Sequence, residues 1–225
     1  MTLSISGRCE RTGMLGMAIA SSSMSVAARC AHARADVGVC ATQNITDPRI
    51  GPEGLDLLAK GIDVDTAIKT IRAKPNAEFR QVGLVDSKGN TAFYSGSGCL
   101  GIYAAAQGKG ALAMGNLLAS DRVPEHMVRA FESDPTAHIG DRLLAAMKAG
   151  VAAGGEAGPI YSAGMFVVGR VAWPIADLRV DYRDDPVTAL GELWTRWQPE
   201  MDAYVTRALN PSGAPRYGVP GDEDA

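Results

Sequence analysis

The chain is poor in histidine, with three in 225 residues, and its four cysteines show no Cys-x-x-Cys spacing. His32, His126 and His138 are scattered, as are Cys9, Cys30, Cys40 and Cys99, so no zinc cluster is signalled. Reduced, mostly buried thiols are the expectation. Long apolar runs are lacking too: no stretch approaches the roughly 20 residues that a membrane span needs, and no basic segment followed by an apolar one opens the sequence. That pattern points to a cytoplasmic protein. Positive charge is not in excess, and a net charge of −3 leaves no footprint for nucleic acid or an anionic membrane. The apolar fraction of 46% is ordinary for a globular chain, and the length suits a single domain, assigned to residues 1–209. Residues 210–225, rich in proline, glycine and terminal acids, read as a disordered tail.

What is present begins at position 2. Thr2 follows the first methionine and opens a strand-like run, Thr2-Leu3-Ser4-Ile5-Ser6. A small second residue permits removal of Met1, which would leave an α-amine and a β-hydroxyl on one residue. A threonine hydroxyl is a weak nucleophile alone, but an adjacent terminal amine can take its proton. Position by itself favours an ordinary second residue, and the rest of the chain must shift that balance.

Periodicity alternates blocks of strand and helix. Strands are expected at the start, over 14–20 and 37–42, and as a hairpin around Val82–Val85 and Thr91–Tyr94, with another at Ala111–Met114. Two helices fall between Pro52 and Ile71, the second capped by Asp63, and two more over 121–133 and 136–149. Strands return at 163–168 and 177–182, before a last helix opened by Asp185 and Pro186 with Leu190, Leu193, Trp194 and Trp197 along one stripe. Blocks of strands and blocks of helices argue for an α+β fold with antiparallel sheets, and a four-layer αββα sandwich would set Thr2 at the end of a central strand. The stripe fits core packing or a homo-oligomer interface.

Several motifs carry candidate chemistry. Gly96-Ser97-Gly98-Cys99-Leu100-Gly101 matches the dinucleotide fingerprint, but no helix starts inside it and its flanks are hairpin-like, so a glycine-rich turn is expected and no cofactor is assigned. Asn116, directly after a strand, has a side-chain amide able to donate to an oxyanion, or to cap a turn. Gln43 and Asn44 end the third expected strand, where a main-chain N–H could complete an oxyanion hole. Glu156, in a glycine-rich loop, could orient an amine or be an exposed loop acid. Asp177, Arg179 and Asp181 share one strand face, where charges are commonly solvated or paired. No Gly-x-Ser-x-Gly elbow is present.

Taken in order, TLSISGR, ATQNITDPRIGPEGLDLL, FRQVGLVDSKG, MGNLLAS, AGGEAG and DLRVDYRDDPV make the chain resemble a family of bacterial proteins of formerly unknown function grouped with the N-terminal nucleophile (Ntn) hydrolases. The resemblance runs from Thr2 to about Leu193. It implies an αββα fold with Thr2 as nucleophile, exposed by methionine removal. Ser21 and Ser23 would position the nucleophile, Gln43 or Asn44 would mark the oxyanion N–H, and Arg34 would bring a positive charge near the terminal amine. The family pattern has a larger or basic residue where this chain has Ser22, and arginine and glutamine where it has Ala157 and Tyr161, which would alter specificity if those positions touch substrate. The reading that follows is a threonine amidohydrolase acting on a non-peptide C–N bond of a small molecule, with Thr2, Asn116 and Gln43 catalytic and Ser21, Ser23, Arg34, Asn44, Glu156 and Asp177 binding or orienting. The alternative is a non-catalytic binding or scaffold protein that keeps the fold; a peptidase ranks below both.

Overall fold

Apolar and hydroxyl side chains alternate along β1 (Thr2–Arg8), and the alternation sorts two interiors. Leu3 and Ile5 enter a core shared with helices, whereas Ser4 and Ser6 point the other way, toward a second sheet. The computed structural model describes residues 1–222. After β1 come β2 (Leu15–Ser21), a single turn α1 (Ala27–Cys30), β3 (Ala31–Arg34) and β4 (Gly38–Asn44). Helices α2 (Ile50–Ala59) and α3 (Val64–Arg72) precede β5 (Arg80–Asp86), β6 (Thr91–Ser95), β7 (Ala104–Gly108) and β8 (Ala111–Asn116). The rest is α4 (Val123–Glu132), α5 (Ile139–Ala152), β9 (Ser162–Val168), β10 (Ala176–Val180), α6 (Pro186–Trp197) and α7 (Met201–Leu209).

The strands form two antiparallel sheets, one six-stranded in the order β10-β9-β2-β1-β8-β7 and one four-stranded in the order β3-β4-β5-β6. Three apolar cores separate four layers. The first lies between the large sheet and α4, α5 and α6, where Met127, Phe131, Leu143, Met147, Leu190 and Trp194 are buried. The second, with Leu15, Met17, Ile19, Val39, Leu112 and Met114, fills the space between the sheets. The third packs Leu55, Val64, Ile68 and Ile71 of α2 and α3 on Val82 and Leu84. The chain is therefore the α+β, four-layer αββα sandwich expected from its pattern. Gly83 allows the sheets to approach: a Cβ there would lie 2.6 Å from Leu112 Cδ2 and 2.7 Å from Met114 Cε.

Local signals account for helix starts. Asp63 accepts from Thr66 N at 2.9 Å and Asp185 from Thr188 N at 3.2 Å, so each carboxylate satisfies a free N–H at its helix entry. Several elements escape such reading, the uncapped single turn α1 among them. β3 (AHAR) and β7 (AAAQG) have little strand propensity and exist because β4 and β8 offer ladder partners. Helix α7 follows α6, which is thus not the last helix. Trp194 is 2% exposed, its Nε1 bonded to Asp141 Oδ1 at 2.7 Å, so this residue of the proposed interface stripe is spent on the core of its own subunit. Past Asn210 the chain makes a short 3-10 turn, and Tyr217 lies against the Arg207 guanidinium; residues 223–225 of the expected tail lie outside the described residues. Among the described residues no helix is long and apolar enough to cross a membrane.

Candidate active site

Antiparallel pairing brings several sequence-predicted residues to one end of both sheets. Thr2 opens β1 opposite Asn116, which closes β8, and Ser21 closes β2 opposite Ser162. In the other sheet Gln43 pairs with Gln81, and Gln81 with Ser95. Thr2 shares its strand face with Ser4, whose Oγ donates to Gln43 Oε1 at 2.7 Å, so this end of the inter-sheet space is polar while the layers below it are apolar.

Gln81 is the hub of that polar end. Its Oε1 accepts from Gln43 Nε2 at 2.7 Å and from Asn116 Nδ2 at 3.2 Å, and its Nε2 donates to Gly115 O at 3.0 Å and Ser95 Oγ at 3.1 Å. Gln43, Gln81 and Asn116 have no exposed surface. In a space closed to water each amide must find partners within the protein, so the network fixes the orientation of Asn116. One atom is left over: Asn116 Oδ1 is buried with no partner. Gln81 was not singled out from the sequence, although an amide on an otherwise apolar strand, at the same strand end as Gln43, was the available signal.

Thr2 is 5% exposed, and its Oγ1 donates to the Met1 carbonyl at 2.5 Å. The Ser21 hydroxyl donates to the same carbonyl, and the two hydroxyl oxygens lie 3.4 Å apart. Ser23 stands beside them with its Oγ 2.9 Å from Ser21 Oγ, and Arg29 Nη2 donates to Ser23 Oγ at 3.1 Å. The cation near this cluster is thus Arg29, not Arg34. Arg34 lies at the far end of β3 opposite Gly38, in an ion pair with Asp56 at 2.8 Å, because β3 runs away from the site. Asp177 is likewise remote: it pairs with Phe166 along β10, away from Ser162, and faces Arg179 at 3.6 Å. Asn44, at φ 72°, accepts from Leu100 N and donates to Phe79 O, so its side chain fastens two loops together.

The 153–161 loop supplies the remaining wall. Ala119 N donates to Gly155 O and Ala157 N to Leu117 O, which tie the loop to the chain just beyond Asn116. Gly158 makes room for Met1, since a Cβ there would stand 3.0 Å from Met1 Cε. Glu156 is 5% exposed, not a solvated loop acid; its Oε2 accepts from Ser22 N at 3.2 Å and its Oε1 has no partner. Burial pushes its carboxyl up to about 7, against the opposing pull of the chain-terminal ammonium and the Ser22 hydrogen bonds. An acid whose pKa is raised by folding is favoured in its protonated form. The folded state therefore loses stability as pH rises from about 4.5 toward 7, by at most about 3 kcal/mol. In protein that retains Met1, Glu156→Gln is expected to match the melting temperature of the unsubstituted chain near pH 4.5 and exceed it by several degrees at pH 8; parallel melting curves across that range would refute this assignment.

The thiols offer no competing nucleophile at this end. All four cysteines are free and buried. Burial raises Cys30 and Cys99 and pushes Cys40 up to about 12. No helix starts in the 96–101 loop; its glycines serve close packing, for a Cβ on Gly96 would lie 2.2 Å from Glu78 O. Among the described residues no group of three His, Cys, Asp or Glu side chains is placed to hold a metal ion.

Comparison with known proteins adds a family and a fold. A family model described as a family of unknown function, DUF1028, matches residues 2–190. Among solved structures, a DUF1028-family protein from Silicibacter pomeroyi superposes with a TM-score of 0.81 at 29% identity, covering 87% of this chain and 85% of that one. An Anbu (ancestral beta-subunit) structure from Yersinia bercovieri aligns over 90% of this chain and 97% of its own at 11% identity, with a TM-score of 0.38. No curated protein matches.

Proposed function

Because the chain belongs to the DUF1028 family of unknown function, we propose, from its site and not from any characterised relative, that it is an N-terminal-threonine amidohydrolase of the Ntn type that cleaves a non-peptide C–N bond of a small molecule. The observation that carries the reading is the placement of the Thr2 and Ser21 hydroxyls on one carbonyl oxygen, opposite Asn116 at the end of the central strand. Removal of Met1 would vacate the space beside Gly158 and put an α-ammonium on Thr2. That group brings three donors to a site with two unpartnered buried acceptors, Asn116 Oδ1 and Glu156 Oε1.

In the proposed reaction the α-ammonium first releases a proton to solvent, and the neutral amine of Thr2 then takes the proton from Oγ1 as the oxygen attacks the substrate carbonyl carbon. The second N–H of Asn116, with a main-chain N–H at the end of β4, steadies the oxyanion. Gln43 contributes through its backbone and as a brace, since its side chain is spent on Ser4 and Gln81. Collapse breaks the C–N bond, with the proton passing to the leaving nitrogen; water activated by the same amine then hydrolyses the ester. Ser21, held by Ser23, to which Arg29 donates in turn, keeps the Thr2 hydroxyl in line.

One observation favours a non-catalytic binding role: with Met1 in place, Thr2 is buried and its hydroxyl already engaged. The intact mass of untagged protein from its own cells separates the two. Loss of one methionine mass, with turnover in a screen of small amides, imides and carbamoyl compounds, is the expected result. Retention of Met1 in every molecule would overturn the hydrolase reading.

A further inference from the structure

The opposite end of the sandwich carries a second concavity. Arg8 closes β1, about 20 Å from Thr2 at the usual rise of an extended strand. Around it lies a cavity of about 490 Å³, lined by Arg8, Lys88, Lys109, Arg142, Glu10 and Glu132. Its floor is the meeting point of the β5–β6 and β7–β8 turns. Gly89 and Gly110, at φ +88° and +64°, make that contact possible; a Cβ on Gly89 would lie 3.4 Å from Gly110 Cα and 3.7 Å from Arg8 Cδ.

The charges around this cavity are unevenly matched. Both acids are engaged by Lys109: Glu10 pairs with its Nζ at 2.8 Å, and Glu132 Oε1 accepts from its backbone N–H at 2.6 Å. Among the described residues Arg8, Lys88 and Arg142 have no carboxylate within ion-pair distance. Asp134 senses the charge of Arg142 but spends Oδ1 on Thr136 and Ala137. Arg142 is 7% exposed and held in place, with Nε donating to Phe131 O at 2.9 Å and the guanidinium 4.0 Å over the Phe131 ring. The Nε of Arg8 is buried with no partner. Arg142 ties itself to the last turn of α4 through Phe131 O, but its charge, like that of Arg8, is left without a paired carboxylate, and an unpaired buried charge opposes folding.

We propose that this cavity binds a small molecule bearing an oxyanion, phosphate or carboxylate, through Arg8, Arg142 and Lys88. Two planar guanidinium groups suit the paired oxygens of such an anion. The volume falls within the range of about 300–1,000 Å³ usual for small-ligand sites. The site is independent of the Thr2 chemistry.

The test uses the full chain, titrated with sodium pyrophosphate and separately with citrate in calorimetry and thermal melting, at ionic strength matched with sodium chloride. At least one anion should bind saturably and raise the melting temperature. Arg8→Gln and Lys88→Gln should each weaken that binding on the order of tenfold, whereas Thr2→Ala should bind as the wild type does. Pyrophosphate binding alone would assign a phosphate ligand, and citrate binding alone a carboxylate. The proposal fails if neither anion acts beyond the chloride control, or if both variants bind with unchanged affinity. Should Arg8→Gln not fold, Lys88→Gln decides the question alone.

Discussion

Replacing Thr2 with alanine is expected to lower turnover of the amide substrate by at least about 10⁴-fold, on the scale of nucleophile deletions in triad hydrolases, while leaving the protein folded. Alanine is as small as threonine at the position that governs methionine removal, so the α-amine is still exposed and only the hydroxyl is lost. The structural cost is small: the Met1 carbonyl that the hydroxyl bonds leaves with Met1, and its other hydrogen bond is the long one to Ser21 Oγ at 3.4 Å. One lost hydrogen bond is worth about 1 kcal/mol. Thr2→Ser keeps hydroxyl and amine together and should retain measurable turnover. A Thr2→Ala enzyme with undiminished activity would remove Thr2 as nucleophile, and if Thr2→Ser were as inactive as alanine, the hydroxyl alone would not explain the loss.

Replacing Gln81 with leucine is expected to cost both stability and activity. Gln81 Oε1 is the shared acceptor for Gln43 Nε2 and Asn116 Nδ2, and leucine would leave both donors buried without a partner. Each unsatisfied group costs about 1–3 kcal/mol, and in a domain of this size each kcal/mol lowers the melting temperature by about 2–4 °C. A fall of roughly 4–24 °C follows for the two donors. Turnover should fall as well, on the order of 10²-fold, because Asn116 loses the bond that aims it. Gln81→Glu separates the two roles: a carboxylate still accepts from Gln43 and Asn116, but its second oxygen faces Gly115 O, to which Gln81 now donates at 3.0 Å. It should recover catalysis better than stability. A leucine variant melting within a degree or two of the wild type would show that the network does not hold this end of the sandwich.

Much of the fold was legible because it rests on local signals. The apolar period along β2, β5 and β9, the caps at Asp63 and Asp185, and the stripe from Leu190 to Trp194 follow from short-range chemistry. β3 and β7 were not legible, because alanine-rich segments become strands only when a neighbouring ladder accepts them. The site divides along the same line. Thr2, offered by its place after Met1, Ser21, offered by the family resemblance, and Gln43 and Asn116, offered as strand-end amides, come to the same end of the two sheets. Gln81 was missed because its importance lies in a partner 35 residues away in sequence.

The sequence by itself determined most of the segments that are strands or helices and their order in blocks, and it offered Thr2 as a candidate nucleophile. Only the tertiary structure decided which charges share the site. Strand direction carries Arg34 and Asp177 away from Thr2, the α1 turn brings Arg29 to Ser23, and the 153–161 loop packs Glu156 against Ser22, where burial raises its carboxyl. The physical reason is one of range. Backbone periodicity and capping act over a few residues, whereas burial, charge pairing and the orientation of a buried amide depend on which distant strands come to lie beside one another.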